Sequence, residues 1–151
     1  MRTVDRSSPV IFVSARDDER NAILWVIGEL DEYTVGAFEA ELERLLPTSR
    51  SLIVELSSCS FISASALAVL VRFRRRLSGG PVALVTESPH LVKVLRIAWL
   101  EHLFPRFENV VDALVAVGET AAEATTAEAG GVSRLPERTA QRPELRLLET
   151  A

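Results

Sequence analysis

Residues 52–76 read LIVELSSCSFISASALAVLVRFRRR, and the fold turns on this stretch. Leu52-Ile53-Val54 is short, apolar and β-branched, the signature of a buried strand. Ser57, Ser58, Ser60, Ser63 and Ser65 then crowd into nine positions. Ala66, Leu70, Phe73 and Leu77 follow at helical spacing, with Arg72, Arg74, Arg75 and Arg76 between or beside them. A strand therefore passes through a hydroxyl-rich turn into a basic amphipathic helix. The N-terminus of a helix carries free N–H groups and a partial positive charge, so it favours a capping hydroxyl, an anion or a phosphate.

The same alternation extends outward in both directions. Upstream, Pro9 to Ser14 predicts a first strand, and Asp17, Asp18 and Glu19 a polar turn. Ala22 to Ile27 is apolar throughout, as in a strand that is central or covered on both faces. Gly28-Glu29-Leu30-Asp31 ends it. A helix is expected from Thr34 to Leu46, with Val35, Phe38, Leu42 and Leu45 inward, Thr34 as N-cap and Pro47 as stop. Downstream, Gly79-Gly80 ends the basic helix and Pro81 to Val85 is another strand. Ser88-Pro89 combines a capping hydroxyl with proline at the first helical position, and Leu91, Val94, Leu95 and Ala98 face inward after it. Leu103 to Phe107 is irregular or briefly extended. Val110 to Val117 is a last short helix, with Val111, Leu114 and Val115 inward.

Strands alternating with helices predict one α/β domain over residues 1–117, with parallel strand pairs. Pairing of the first two strands as a hairpin would make the sheet mixed. From Gly118 onward there is no aromatic residue, and Ala, Thr, Glu, Arg, Gly and Pro dominate. Residues 118–151 are expected to be a disordered tail, with a transient helix over Pro143 to Leu148.

Composition narrows the function. The 151 residues are 48% apolar with a formal net charge of −4. That charge argues against nucleic acid as a partner, and the arginines after residue 71 read as the solvated flank of a helix. Cys59 is the one cysteine, so no intramolecular disulfide forms; without partner ligands it suggests no zinc site and reads as a small buried hydrophobe. The N-terminal stretch lacks the apolar core of a signal peptide, and no apolar run approaches the roughly 18 residues of a membrane span. The expectation is a soluble cytoplasmic protein with no direct membrane insertion.

Catalytic patterns are absent from the sequence. Glu29 and Asp31 form an acidic pair without a histidine, nucleophile or metal ligand in a recognisable arrangement. His90 and His102 are too far apart and unaccompanied to suggest a metal, and neither G-x-G-x-x-G nor a phosphate-binding P-loop occurs. A phosphoryl receiver domain would need carboxylates gathered at strand ends to hold Mg²⁺, whereas the third strand ends in Glu55-Leu56-Ser57-Ser58. No enzyme activity, cofactor or metal is expected.

Three local signatures in order resemble the STAS domain, the family of anti-sigma factor antagonists and of the cytoplasmic domains of sulfate transporters. Gly28-Glu29-Leu30-Asp31-Glu32-Tyr33-Thr34 is similar to its G-x-L-D-x-x-T segment. Phe61-Ile62-Ser63-Ala64-Ser65-Ala66-Leu67 is similar to its F-[IM]-D-S-[ST]-G-[LI] motif, and Ser88-Pro89 with Leu103-Phe104-Pro105 to its late helix and the strand after it. The match runs from about residue 9 to 117. It implies a small mixed sheet of four to five strands, with about four helices packed on one side. It further implies a non-catalytic bacterial partner-switching protein that binds an anti-sigma factor of serine-kinase type and so affects sigma-factor-dependent transcription. In that family, phosphorylation of one serine at the start of a helix breaks the complex, by adding nearly two negative charges and bulk to a packed interface.

The chain departs from the family pattern at the switch. The aspartate position is Ser63, the phosphoacceptor position is Ala64, and the glycine is Ala66, while Ser65 is kept. Phe61-Ile62 and Leu67 fix this register. Ala64 has no hydroxyl to phosphorylate, and Ser63 is placed to cap the helix. Partner contacts carried over from the resemblance are Asp31, Thr34, Ser58, Ser60, Ser63, Ala64, Ser65 and Leu67. Three readings stay open: an antagonist without the usual off-switch, phosphorylation moved to Ser63 or Ser65, or a STAS scaffold in another assembly. That assembly would be a stress complex, other STAS proteins, or a lipid or anion transport system; a module binding a small ligand at the serine-rich helix start is a further option. Trp99 is a second departure, near a point where the family often has a small residue or glycine. It is expected to pack under the final helix, the alternative being an exposed binding anchor.

Overall fold

The computed structural model describes residues 10–77, 80–128 and 146–150. Strands β1 (Ile11–Arg16) and β2 (Asn21–Leu30) form an antiparallel hairpin, with Ile11 opposite Ile27 and Arg16 opposite Ala22. Helix α1 (Val35–Leu45) leads through a short 3₁₀ turn, Leu46–Thr48, to β3 (Ser51–Glu55), which lies parallel to β2. Strand β4 (Cys59–Ile62) and helix α2 (Ala64–Arg76) come next. Strand β5 (Val82–Val85), helix α3 (Pro89–Ile97), strand β6 (Arg106–Phe107), helix α4 (Val110–Glu128) and strand β7 (Arg146–Thr150) complete the described chain. Among the described residues the sheet has seven strands in the order β6-β5-β3-β2-β1-β7, with β4 paired to the far end of β2. The mixed α/β class and the hairpin expected from the sequence are present. The sheet is larger than the four to five strands expected, because β4 lies inside the serine-rich stretch read as a turn and β7 inside the stretch read as a tail.

The expectation that all helices lie on one side is corrected. Alternate residues of a strand point to opposite faces. Ala22, Leu24, Val26, Leu52, Val54, Val82 and Leu84 face one way, against Phe38 and Leu42 of α1, Leu70 and Phe73 of α2, and Leu91 and Leu95 of α3. Ile23, Ile53, Ala83 and Val85 face the other way, against Ala113 and Val117 of α4. The three central strands are apolar on both faces, so both faces must be covered, and α4 is the cover on the second.

The last helix also differs from expectation in length and in which face it buries. It runs past Val117 to Glu128, so residues 118–128 are helical and not part of an unstructured tail. Ala113 and Val117 are buried, whereas Val111 and Val115 are exposed. The last described strand, β7, pairs antiparallel with β1, from Phe12 opposite Thr150 to Arg16 opposite Arg146. Leu147 and Leu148 therefore sit in a strand and not in the transient helix expected there. Pro9 and residues 129–145 lie outside the described residues.

Two backbone positions require glycine. Gly28 has φ 122°, where side chains are rarely tolerated. At Gly80 an added Cβ would stand 1.8 Å from the Arg50 carbonyl oxygen, so the chain can pass there only without a side chain. A buried polar network locks the hairpin turn to β3. The Asp17 carboxylate accepts from the Asn21 N–H at 2.8 Å and the Asn21 side-chain amide at 2.9 Å, and the Ser51 hydroxyl donates to Asn21 Oδ1 at 2.6 Å. No buried side-chain nitrogen or oxygen among the described residues lacks a partner.

Candidate functional site

The serine-rich stretch is less of a loop than its composition suggests. Residues 59–62 form β4, parallel to the end of β2, with Gly28, Glu29 and Leu30 opposite Cys59, Phe61 and Ile62 and a register shift between Gly28 and Glu29. The Gly28 N–H donates to the Ser58 carbonyl at 3.0 Å, and the Ser63 N–H to the Leu30 carbonyl at 2.7 Å. These bonds bring two segments 30 residues apart in sequence side by side: the turn 31–34 that starts α1, and the loop 57–65 that starts α2.

Asp31 organises its own turn. Its Oδ1 accepts from the N–H groups of Tyr33 at 2.8 Å and Thr34 at 3.0 Å, and from the Thr34 hydroxyl at 3.2 Å. The Thr34 hydroxyl in turn accepts from the Asp31 N–H at 2.9 Å and lies 2.7 Å from the Glu29 carbonyl. Thr34 occupies the N-cap position of α1 but makes no side-chain cap bond to the helix; its hydroxyl ties the turn to β2. Ser63 does cap α2, accepting from the Ala66 N–H at 3.2 Å. Ser88 caps α3 in the same way, through the Leu91 N–H at 3.3 Å.

The residues expected to form one surface divide by burial. Ser58, Ser60, Ala64 and Ser65 are exposed, and Asp31 and Ser63 half-buried. Thr34 and Leu67 are buried, so both support the surface from beneath. Two aromatic residues outside the expected set stand there instead. Tyr33 is 81% exposed at the tip of the α1 turn, and Phe61 is 41% exposed on β4 opposite Glu29. Tyr33 had one detectable signal, an aromatic inside an otherwise polar turn. The face of Phe61 depends on the register shift in β2, which no local pattern reveals.

Cys59 is buried beneath this surface, with its thiol 3.2 Å from the Phe61 carbonyl as donor. Burial pushes the thiol pKa up, so it stays protonated and unreactive near neutral pH. Arg72, Arg74 and Arg76 of α2 make contacts within the chain. Arg72 pairs with Glu39 at 3.2 Å and Arg76 pairs with Glu43, both across to α1, over a groove floored by Leu42, Val69 and Phe73. Arg74 Nε donates to the Leu103 carbonyl at 3.0 Å. The Arg76 guanidinium holds the Glu43 carboxyl below its usual range. Among the described residues no group of three or more His, Cys, Asp or Glu is placed to hold a metal ion, and no helix is long and apolar enough to cross a membrane.

The family model for the STAS domain matches residues 12–113. No curated protein sequence matches the chain. Several solved structures share its fold. An anti-sigma factor antagonist from Mycobacterium paratuberculosis is 24% identical, with 74% of this chain and 98% of that one covered and a TM-score of 0.66. The Bacillus cell-fate determinant SpoIIAA in its phosphorylated form is 20% identical, covering 70% and 98%, with a TM-score of 0.57. An anti-sigma-factor antagonist (STAS) domain protein from Planctomyces limnophilus is also 20% identical, covering 70% and 96%, at a TM-score of 0.60. The bulged β2–β4 pairing, the Ser63-capped helix and the family match over 12–113 lead to one assignment: this chain belongs to the STAS domain family.

Proposed function

We propose that this chain is a non-catalytic, cytoplasmic anti-sigma factor antagonist that binds an anti-sigma factor of serine-kinase type. The carrying observation is the juxtaposition of the Asp31–Thr34 turn with the exposed start of α2, joined through the Gly28–Ser58 and Ser63–Leu30 backbone bonds. Asp31, Tyr33, Ser58, Ser60, Phe61, Ala64 and Ser65 would meet the partner, with Thr34 and Leu67 holding them from below. An exposed aromatic residue on each segment supports a protein partner, since aromatic side chains dominate binding energy at such surfaces.

The switch of such a protein would sit at Ala64, the exposed first residue of α2. An alanine there accepts no phosphate. The adjacent Ser63 hydroxyl is already engaged in capping the helix. The chain therefore acts as an antagonist that a kinase binds but does not switch off at the usual position.

The test is binding of the cognate anti-sigma factor by calorimetry, before and after incubation with ATP, with intact mass read in parallel. Wild-type protein should bind equally in both conditions with no gain of phosphate. Ala64→Ser should gain one phosphate and then bind at least about tenfold more weakly, and Ala64→Glu should bind weakly throughout. Phosphate on Ser63 or Ser65 of the wild type would overturn the constitutive reading. Co-purification with transport components or other STAS proteins, and with no anti-sigma factor, would replace it by the scaffold reading.

A further inference from the structure

Trp99 does not pack under α4; it is 80% exposed, and Ile97 beside it is 66% exposed. The reason lies in how α3 ends. The Trp99 N–H donates to the Arg96 carbonyl at 3.1 Å and the Leu100 N–H to the Leu95 carbonyl at 2.9 Å. This paired set is the Schellman arrangement, which places the residue after the C-cap in the left-handed region. Trp99 occupies that slot with φ 59°. Glycine is the favoured residue there, because a Cβ is strained in this conformation. The largest side chain thus sits in a strained backbone and gains little burial in return. Strain without compensating packing marks a functional position.

The surroundings indicate what this position meets. From Ser88 to Pro105 the sequence has one carboxylate, Glu101, and it is already engaged by Arg96 at 3.2 Å. Lys93 is exposed one turn before Ile97 on the same helical face. Arg74 is held against the neighbouring loop by its bond to the Leu103 carbonyl. In a chain of net charge −4, this corner is locally cationic around an exposed tryptophan and isoleucine. It is also remote from the α2 start. Arg74 stands ten residues along α2 from Ala64, roughly 15 Å at 1.5 Å per residue.

We propose that Ile97 and Trp99, framed by Lys93 and Arg74 with the Arg96–Glu101 pair alongside, form a second docking surface that receives an acidic, apolar-centred segment of a partner protein. Tryptophan and isoleucine supply the desolvated centre, and the cations supply orientation and encounter rate. An anionic lipid surface fits less well, because two apolar side chains bury too little for stable insertion. A protein with two remote docking surfaces can hold two partners at once. This inference does not depend on the anti-sigma reading, since its test needs no anti-sigma factor.

The experiment selects random 12-residue peptides displayed on phage against the full chain. Enriched peptides should carry Asp or Glu around aliphatic or aromatic residues. The synthesised peptide should bind at least about tenfold more weakly to Trp99→Ala and to the Lys93→Glu/Arg96→Glu double variant, and more weakly at high salt. Thermal unfolding of both variants confirms that they remain folded. Enrichment of basic or neutral peptides, binding indifferent to Trp99→Ala, or no enrichment would each overturn the proposal. So would Trp99-dependent self-association in sedimentation, or Trp99-dependent binding to phosphatidylglycerol vesicles, without acidic-peptide binding.

Discussion

At position 63 the hydroxyl accepts the Ala66 N–H, and at position 64 there is only a methyl group facing solvent. One residue starts the helix and its neighbour would decide whether the helix start can carry a phosphate. Replacing Ser63 by alanine should cost about 1 kcal/mol of stability, read as a lower urea midpoint with an unchanged slope. Trp99 should behave in the opposite way. Glycine in its place relieves the left-handed strain, so Trp99→Gly should gain about 1 kcal/mol and raise the melting temperature by about 3 °C in calorimetry. A tryptophan there that proves stabilising would mean that burial offsets the strain after all. The sequence made Ser63 legible, because a serine before an amphipathic run is a capping signal. It misled at Trp99, because the usual inward preference of aromatic residues says nothing about a helix C-terminus.

Helices α1 and α2 are joined by Arg72 to Glu39 and Arg76 to Glu43 above apolar contacts among Leu42, Val69 and Phe73. Exposed pairs of this kind contribute little beside the apolar floor beneath them. Their sign is still testable. Arg76 depresses the Glu43 pKa, so any stability from the pair is present above the unfolded carboxylate pKa and is lost as pH falls through the folded one. Glu43→Gln should therefore lower the urea midpoint slightly at pH 7, and the difference should vanish in strong acid or at high salt. The arginines read from sequence as the solvated flank of a helix, and that flank is where they lie. Which carboxylates they would meet depended on how α1 and α2 pack. The α4 sequence, VVDALVAVG from Val110, offers two overlapping apolar stripes of nearly equal hydrophobicity. Periodicity could not choose between them; docking onto Ile23, Ile53 and Ala83 did.

For the whole molecule, the sheet edge at β1 is covered by β7 from the far end of the chain. An uncovered edge presents free backbone donors and acceptors. Deleting residues 146–151 should speed amide exchange in β1 while β2, β3 and β5 stay protected, as read by hydrogen–deuterium exchange. Unchanged exchange in β1 would show that β7 adds nothing to this edge. The sequence alone determined the α/β class, the strand cores at 22–27, 52–54 and 82–85, and the helix starts at Ser63 and Ser88. These are local properties: apolar runs, caps and turn residues act over a few positions of chain. Only the tertiary structure decided that α4 covers the second sheet face, that β7 pairs along the β1 edge, that Tyr33 and Phe61 are both exposed, and that Trp99 stands in solvent. Each of these depends on partners far away in sequence or on how a helix end closes its backbone bonds, and neither is written in the periodicity of any one segment.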